Sequence, residues 1–279
     1  MTMQTEAYAK INLTLDITGR DERGYHLLSS VFATVSLSDT VTLEPAGTDI
    51  VIECDQPSVP TDERNLCHKA ALALWNACDL PAEGLRIGLE KRIPSGAGLG
   101  GGSSDAAAVI RLLCDRYGLS TEDYRVRNAA LRVGADVPFF LRGGVCLAEG
   151  VGEFLTPLPS LSGYSVVLAK TEEFASTPRV YGIYDEDALS YPPTTPAFLS
   201  ALREGRAIAP HVSNHLTRAA SSLCPSVPIL RDRMRSLGAC AAEMSGSGSA
   251  VYGLFLEGSV ARNAVKNIDA QFCEICRFV

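Results

Sequence analysis

The sequence predicts a mixed α and β fold, built as one large domain or two modest ones. Three observations carry this. Before residue 92 the chain is dominated by runs that alternate polar and apolar residues, the period of half-buried strands. The middle carries apolar residues at helical spacing, and the C-terminal stretch reads in β-α-β order. At 279 residues and 46% hydrophobic content, there is material for a sizeable core.

In chain order, "AYAKINLTLDI" alternates as a strand, and "VFATVSLSDTVTLEPA" and "DIVIEC" continue in that style with turn residues between them. "RNLCHKAALALWNAC" has helical spacing, and "LRIGLEKRI" reads as a strand entering a glycine-rich loop. "DAAAVIRLLCDRYG" and "TEDYRVRNAALRVG" are helices, and "GYSVVLAK" is a strand. "ALSYPPTTPAF", with Pro192, Pro193 and Pro196, reads as a loop or linker. Helices are expected near 212–222 and 225–236. "SAVYGLFL", "SVARNAVKNI" and "AQFCEICRFV" close the chain as strand, helix and strand. A domain boundary is expected near 155–162, in "TPLPSLSGY", giving domains 1–158 and 159–279.

A formal net charge of -7 argues against a nucleic-acid partner, which needs clustered Lys and Arg. It leaves room for a small anionic substrate in a local positive pocket. No run of about 18 apolar residues suggests a membrane span. The opening "MTMQTEAYAKINL" lacks the basic start and apolar core of a signal peptide, so a cytoplasmic protein is expected. Nine scattered cysteines do not form a disulfide framework. Cys273 and Cys276 make a lone C-x-x-C without a second pair or a nearby His, so the cysteines are expected to be reduced and mostly buried. His68, His211 and His215 show no ligand spacing and read as ordinary helix residues.

The stretch "PSGAGLGGGSSDAAA", Pro94 to Ala108, places five glycines and three serines before an alanine-rich helix. Gly96, Gly98 and Gly101 satisfy G-x-G-x-x-G, but the second strand with a terminal acid that a dinucleotide fold needs about twenty residues on is missing. A Walker loop is absent as well, since no Gly-Lys-Ser/Thr follows, and there is no "HRD" or "DFG". A tight turn with small-residue packing explains only some of these glycines. Backbone amides at a helix N-terminus bind anions without a basic side chain, and phosphate is the natural occupant.

This stretch resembles the phosphate-binding motif of the GHMP kinase superfamily. "GADVPFFLRGG" and "MSGSGSAVYGLF" are similar to two further motifs of that group, and "AYAKINLTLDITGRDERGYHLLSSVF" resembles the opening of the 4-diphosphocytidyl-2-C-methyl-D-erythritol kinases. The blocks fall in the family's order and cover nearly the whole chain. The resemblance implies an α+β protein with an N-terminal mixed α/β domain, a C-terminal α+β (ferredoxin-like) domain and an active site between them. It implies phosphorylation by ATP, with Mg2+, of the tertiary 2-hydroxyl of a cytidine diphosphate ester of methylerythritol, in the non-mevalonate isoprenoid pathway. Another small-alcohol kinase of homoserine or mevalonate type, or a non-catalytic nucleotide-binding protein, are the alternatives. Monomer and homodimer both stay open.

By the same resemblance, Lys10 and Asp136 are the catalytic pair. Asp136 would take the hydroxyl proton, and Lys10 would keep that carboxylate ionised and polarise the hydroxyl. On residue pattern alone, Asp136 can also be a helix N-cap and Lys10 the solvated face of a strand. ATP would be bound by Pro94, Ser95, Gly96, Ala97, Gly98, Leu99, Gly100, Gly101, Gly102, Ser103 and Ser104, with Asn65 and Leu66 on the adenine side. Tyr25 and His26 match the cytosine-binding pair, Tyr181 would close an aromatic sandwich on the base, and Asn12 would bond the polyol. A ring needs flat faces and edge hydrogen bonds, which Tyr and His supply. One departure stands out: "NHLT", Asn214 to Thr217, lacks the acid of the family's usual Asn-Asp-x-Glu.

Overall fold

The computed structural model describes residues 2–187 and 191–279, and forms two compact units, each assembled from discontinuous segments. The first unit comprises the chain up to Ala9, Leu37–Ser95 and Gly100–Gly143. It takes the start of β1 (Met3–Arg20) and the end of β2 (His26–Pro45), then β3 (Ile50–Cys54), α1 (Leu66–Ala77), β4 (Leu85–Glu90), α2 (Gly101–Tyr117), α3 (Tyr124–Val133) and α4 (Val137–Arg142). β3 pairs parallel with β4 through the α1 crossover, and β4 pairs antiparallel with β2, Thr40 opposite Glu90 through Pro45 opposite Leu85. The four helices pack on one another. α2 is buried almost all round from Ser104 to Cys114, because Ala106, Ala107 and Ala108 let neighbouring backbones approach.

The second unit comprises Lys10–Ser36, Gly96–Leu99 and Gly144–Val279. Here β2 pairs antiparallel with β5 (Val145–Gly150), which forms a hairpin with β6 (Phe154–Pro157). The chain continues through β7 (Ser165–Lys170), α5 (Thr177–Glu186), α6 (Thr195–Arg203) and a 3-10 turn at Ala209–His211. β8 (Ser213–Asn214), α7 (Thr217–Leu223), α8 (Ser226–Ser236), β9 (Ala241–Met244), β10 (Val251–Phe255), α9 (Gly258–Asn267) and β11 (Phe272–Cys276) follow. β8 runs parallel to β1 at Thr14 and Leu15. Strands β11-β7-β10-β9 form an all-antiparallel sheet. Taken with α8 and α9, that order is ferredoxin-like, as the resemblance implied. Its core is apolar on the helix side: Val167, Val251 and Phe255 of the sheet meet Val227, Leu230 and Met234 of α8 and Ala261 and Ala264 of α9.

Several sequence expectations change. The stretch at 31–46 is one continuous strand with His26–Ser30, because Asp39 inside it is fully buried and bonded rather than turning the chain. The expected loop at 188–198 contains the start of α6: Pro196 sits in its first turn, where a missing N–H costs nothing. Residues 188–190 of that expectation lie outside the described residues. The helix expected near 212 starts at Thr217, after β8. His68 is on α1, but His211 lies in the 3-10 turn. His215 lies between β8 and α7, is buried, and accepts Ile17 N–H at Nδ1 (3.1 Å) with Asp16 3.2 Å from Nε2. None of the nine cysteines is in a disulfide, and six of them are buried.

Candidate active site

In the second unit, Lys10 and Asn12 point to the same face of β1, as strand residues two apart must. Lys10 is 4% exposed, so it is no solvated strand lysine. Its ammonium donates to Asn12 Oδ1 at 2.6 Å and lies 4.8 Å from the centre of the Phe32 ring. Asn12 is held on every side: Nδ2 donates to Ser30 Oγ (2.9 Å), its amide donates to Ser245 Oγ (3.3 Å), and its carbonyl accepts the buried Tyr252 hydroxyl (2.9 Å). Ser30, Ser245 and Tyr252 carry no sequence motif role of their own; only their place in the "MSGSGSAVYGLF" block and on β2 could have pointed to them.

The glycine loop is tied down carbonyl by carbonyl. Ala97 O accepts Ala250 N–H (3.1 Å), Gly98 O accepts Ser245 Oγ–H (2.9 Å), and Leu99 O accepts the amide of Lys10 (3.0 Å). Ala97 and Leu99 bury their side chains, while Gly98 and Gly100 take the left-handed conformation with φ of 74° and 73°. Alternating conformations of this kind, with the carbonyls engaged elsewhere, make an amide-lined concavity suited to an anion. A Cβ at Gly98 would overlap the Ser245 carbonyl oxygen.

In the first unit, α2 begins at Gly101 with Gly100 as N-cap and no side-chain capping bond. Its first amides are therefore left for another acceptor. Leu66 touches this turn, 3.7 Å from where a Cβ on Gly102 would stand. Ser104 is buried and donates to Tyr8 O (2.7 Å), whereas Ser103 is half-buried and Pro94 and Ser95 lead in from β4. Asn65 caps α1: Oδ1 accepts Cys67 N–H (2.8 Å) and Nδ2 donates to Pro60 O (2.6 Å). That leaves its side chain one N–H and one lone pair of Oδ1 for anything else.

Asp136 occupies the N-cap position of α4, half-buried, yet its side chain makes no capping bond there.

Within the first unit, the segment leading to Pro94 is held by a buried triad that the sequence did not announce. Asp39 Oδ1 accepts the amides of Arg92 (2.6 Å) and Ile93 (2.8 Å), fixing the approach to Pro94. The Lys91 ammonium bridges Asp39 and Asp105, the latter in α2. Burial pushes the Asp105 carboxyl up, with Lys91 only partly opposing it, to about 7.

At the other end of the second unit, Tyr25 and His26 follow a turn in which Asp21 Oδ1 accepts the amides of Arg23 (3.0 Å) and Tyr25 (2.8 Å). Tyr25 is 62% exposed, with the Arg23 guanidinium 5.3 Å from its ring. His26 stacks on Tyr181 of α5, centroids 4.5 Å apart, so the structure brings those two together face to face.

The "NHLT" stretch has a structural part. Asn214 is buried and donates to Met244 O (3.0 Å) and Gly246 O (2.7 Å), and Thr217 donates to Glu243 Oε1 (2.8 Å). Burial raises the Glu243 carboxyl above its ordinary range despite Arg231.

Comparison with known proteins identifies the family. The GHMP kinases N terminal domain matches residues 65–144 and the GHMP kinases C terminal domain residues 198–274. A 4-diphosphocytidyl-2-C-methyl-D-erythritol kinase of Clostridium botulinum is 34% identical over 275 residues, 98% of each chain. One of Clostridium beijerinckii is 36% identical over 255 residues, 91% of each. A crystal structure of 4-(cytidine 5'-diphospho)-2C-methyl-D-erythritol kinase superposes with a TM-score of 0.79 at 37% identity, covering 98% of this chain and 99% of that one. Homoserine kinase of Cytophaga hutchinsonii, at 18% identity and a TM-score of 0.75, shares the fold. With both domains matched in order and the likeness running nearly end to end, the chain belongs to the GHMP kinases and, among them, to the 4-diphosphocytidyl-2-C-methyl-D-erythritol kinase family.

Proposed function

We infer that the protein transfers the γ-phosphoryl group of ATP to the 2-hydroxyl of 4-diphosphocytidyl-2-C-methyl-D-erythritol, a step of isoprenoid precursor synthesis. The observation that carries the mechanism is the bond from the Lys10 amide to Leu99 O, 3.0 Å, which straps a buried ammonium to the glycine loop. In this reading the loop amides and the first turn of α2 hold the phosphates, and Leu66 borders the adenine side. Asn12 binds the polyol. Tyr25, His26 and Tyr181 bind the base. The hydroxyl oxygen attacks the γ-phosphorus, the bond to the bridging oxygen breaks, ADP leaves, and Asp136 accepts the hydroxyl proton. Lys10 stabilises the charge on the attacking oxygen and the transferring group.

Magnesium, when bound with ATP, neutralises charge on the phosphate oxygens. Such an ion keeps water and phosphate ligands and needs only one or two protein oxygens. Among the described residues no group of three or more His, Cys, Asp or Glu could hold a metal, and the Ser103 hydroxyl in the first turn of α2 is a hard oxygen the chain offers. No helix among the described residues is long and apolar enough to cross a membrane, and we place the enzyme in the cytoplasm, where ATP is supplied. We keep the domain boundary proposed from the sequence at 158/159, which falls just after β6.

ADP release tests the reading. The cytidine diphosphate ester is expected to be turned over, and homoserine and mevalonate are not. Turnover of homoserine or of mevalonate in its place overturns the substrate assignment.

A further inference from the structure

Helix α5 grips His26 from three directions. Tyr181 lies under its face, Tyr184 meets it edge-on at 6.2 Å and 79°, and Asp185 reaches its rim. Tyr181 and Asp185 are four residues apart, hence on one side of the helix. Asp185 Oδ1 is 2.7 Å from His26 Nε2, and its other oxygen is 2.5 Å from Nη2 of Arg20. Partial burial pushes the Asp185 carboxyl up, but the bonds from Arg20 and His26 outweigh it and hold the group below its ordinary range. An ionised carboxylate only accepts, so Nε2 must carry a hydrogen. Arg20 already supplies the countercharge, so Asp185 does not require a charged imidazole. With the ring proton on Nε2, Nδ1 presents a lone pair, and no hydrogen bond to Nδ1 is present among the described residues.

We propose that Asp185, backed by Arg20, is a positioning residue for base specificity: it holds His26 in the Nε2–H tautomer, so that Nδ1 accepts from the exocyclic amine of cytosine and opposes the carbonyl that uracil carries at the same place. This rests on the reading that a cytidine nucleotide is the substrate. Cytosine presents a donor where uracil presents an acceptor, so a fixed acceptor on the protein rewards one and repels the other. Stacking on Tyr181 sets the plane of the ring, and Asp185 sets which nitrogen faces the base.

The test is titration of the wild type, Asp185→Asn and Asp185→Leu with CDP, UDP and ATP, alongside 15N spectra of the His26 ring. The wild type is expected to prefer CDP to UDP by about tenfold or more, equivalent to about 1.4 kcal/mol. An amide at 185 can offer either its oxygen or its NH2 to Nε2. Asp185→Asn is therefore expected to cut the preference to about threefold or less, mix the two tautomers in the spectra and leave ATP affinity unchanged. Asp185→Leu is expected to do the same without restoring a partner. If the variants keep the wild-type CDP:UDP ratio, or lose both ligands equally with the Nε2–H tautomer intact, Asp185 is only structural and the proposal fails. If the wild type itself binds CDP no better than UDP, the cytidine reading fails, whatever the variants do.

Discussion

At the scale of single residues, Lys10 and Asp136 show how burial changes what a charged side chain means. Lys10 stands in an alternating strand, where a lysine is ordinarily solvated, yet it is almost fully buried with Asn12 and Phe32 around its ammonium. Lys10→Met keeps the stem packed on Phe32 and removes the charge; Asp136→Asn keeps the shape and removes the base. Each is expected to lower kcat by about 100- to 10,000-fold with ATP affinity little changed, read from steady-state rates and nucleotide titration. The glycine loop separates two kinds of glycine. Gly98→Ala adds an atom that collides with the Ser245 carbonyl at a φ of 74°, so a loss of ATP affinity of tenfold or more is expected. Gly102→Ala meets only Leu66 at ordinary contact distance and sits in a helical turn, so folding should hold or improve by up to about 1 kcal/mol. Thermal melts and ATP titration of the two variants distinguish them.

At the scale of elements, β2, β4 and α2 are joined at the root of the loop by Asp39, Lys91 and Asp105. Burial alone would discharge Lys91, but the two carboxylates outweigh it and raise its ammonium above the ordinary range. Two acids share one cation, and burial keeps the proton of Asp105 up to about 7 against 3.8 for the free group. The folded state then binds a proton that the unfolded chain has released, and stability contributed by this group is present below pH 4 and lost as pH rises toward 7. Asp105→Asn removes that dependence. Melting curves at pH 5 and pH 8 are expected to differ less in the variant than in the wild type, and an unchanged difference would remove Asp105 from the account. Lys91→Met leaves the two acids facing each other and should cost on the order of 3 kcal/mol in chemical denaturation.

At the scale of the whole molecule, a chain of net charge -7 binds anionic ligands only through local arrangements of amides and single cations. Binding to the folded state alone stabilises it by about 2.7 kcal/mol at a hundredfold excess over Kd. For a chain of this length that is a rise in Tm of about 5 °C or more. Calorimetric scans are expected to show such a rise with ATP and with CDP, and none with homoserine or mevalonate. Equal shifts with CDP and homoserine would contradict the proposed ligand.

What the sequence determined by itself was whatever depends on local pattern. The alternation in β1 and β3, the helical spacing of α1, α8 and α9, and the bare loop before α2 all follow from side-chain period and glycine content. β6 and β9 escaped because four residues are too few to show a period, β5 because "VCLAEG" does not alternate cleanly, and α6 because Pro196 reads as a breaker until it is seen in a first turn. The roles proposed for Lys10, Asn12, Tyr25 and His26 come from resemblance rather than from chemistry. Tertiary structure alone decided which polar groups meet: Ser245 with Asn12 across 233 residues, Asp185 with His26 across 159, Lys91 with Asp39 across 52. Hydrogen bonds and ion pairs act over a few ångströms, and no local pattern in a chain records which distant residues folding will bring that close.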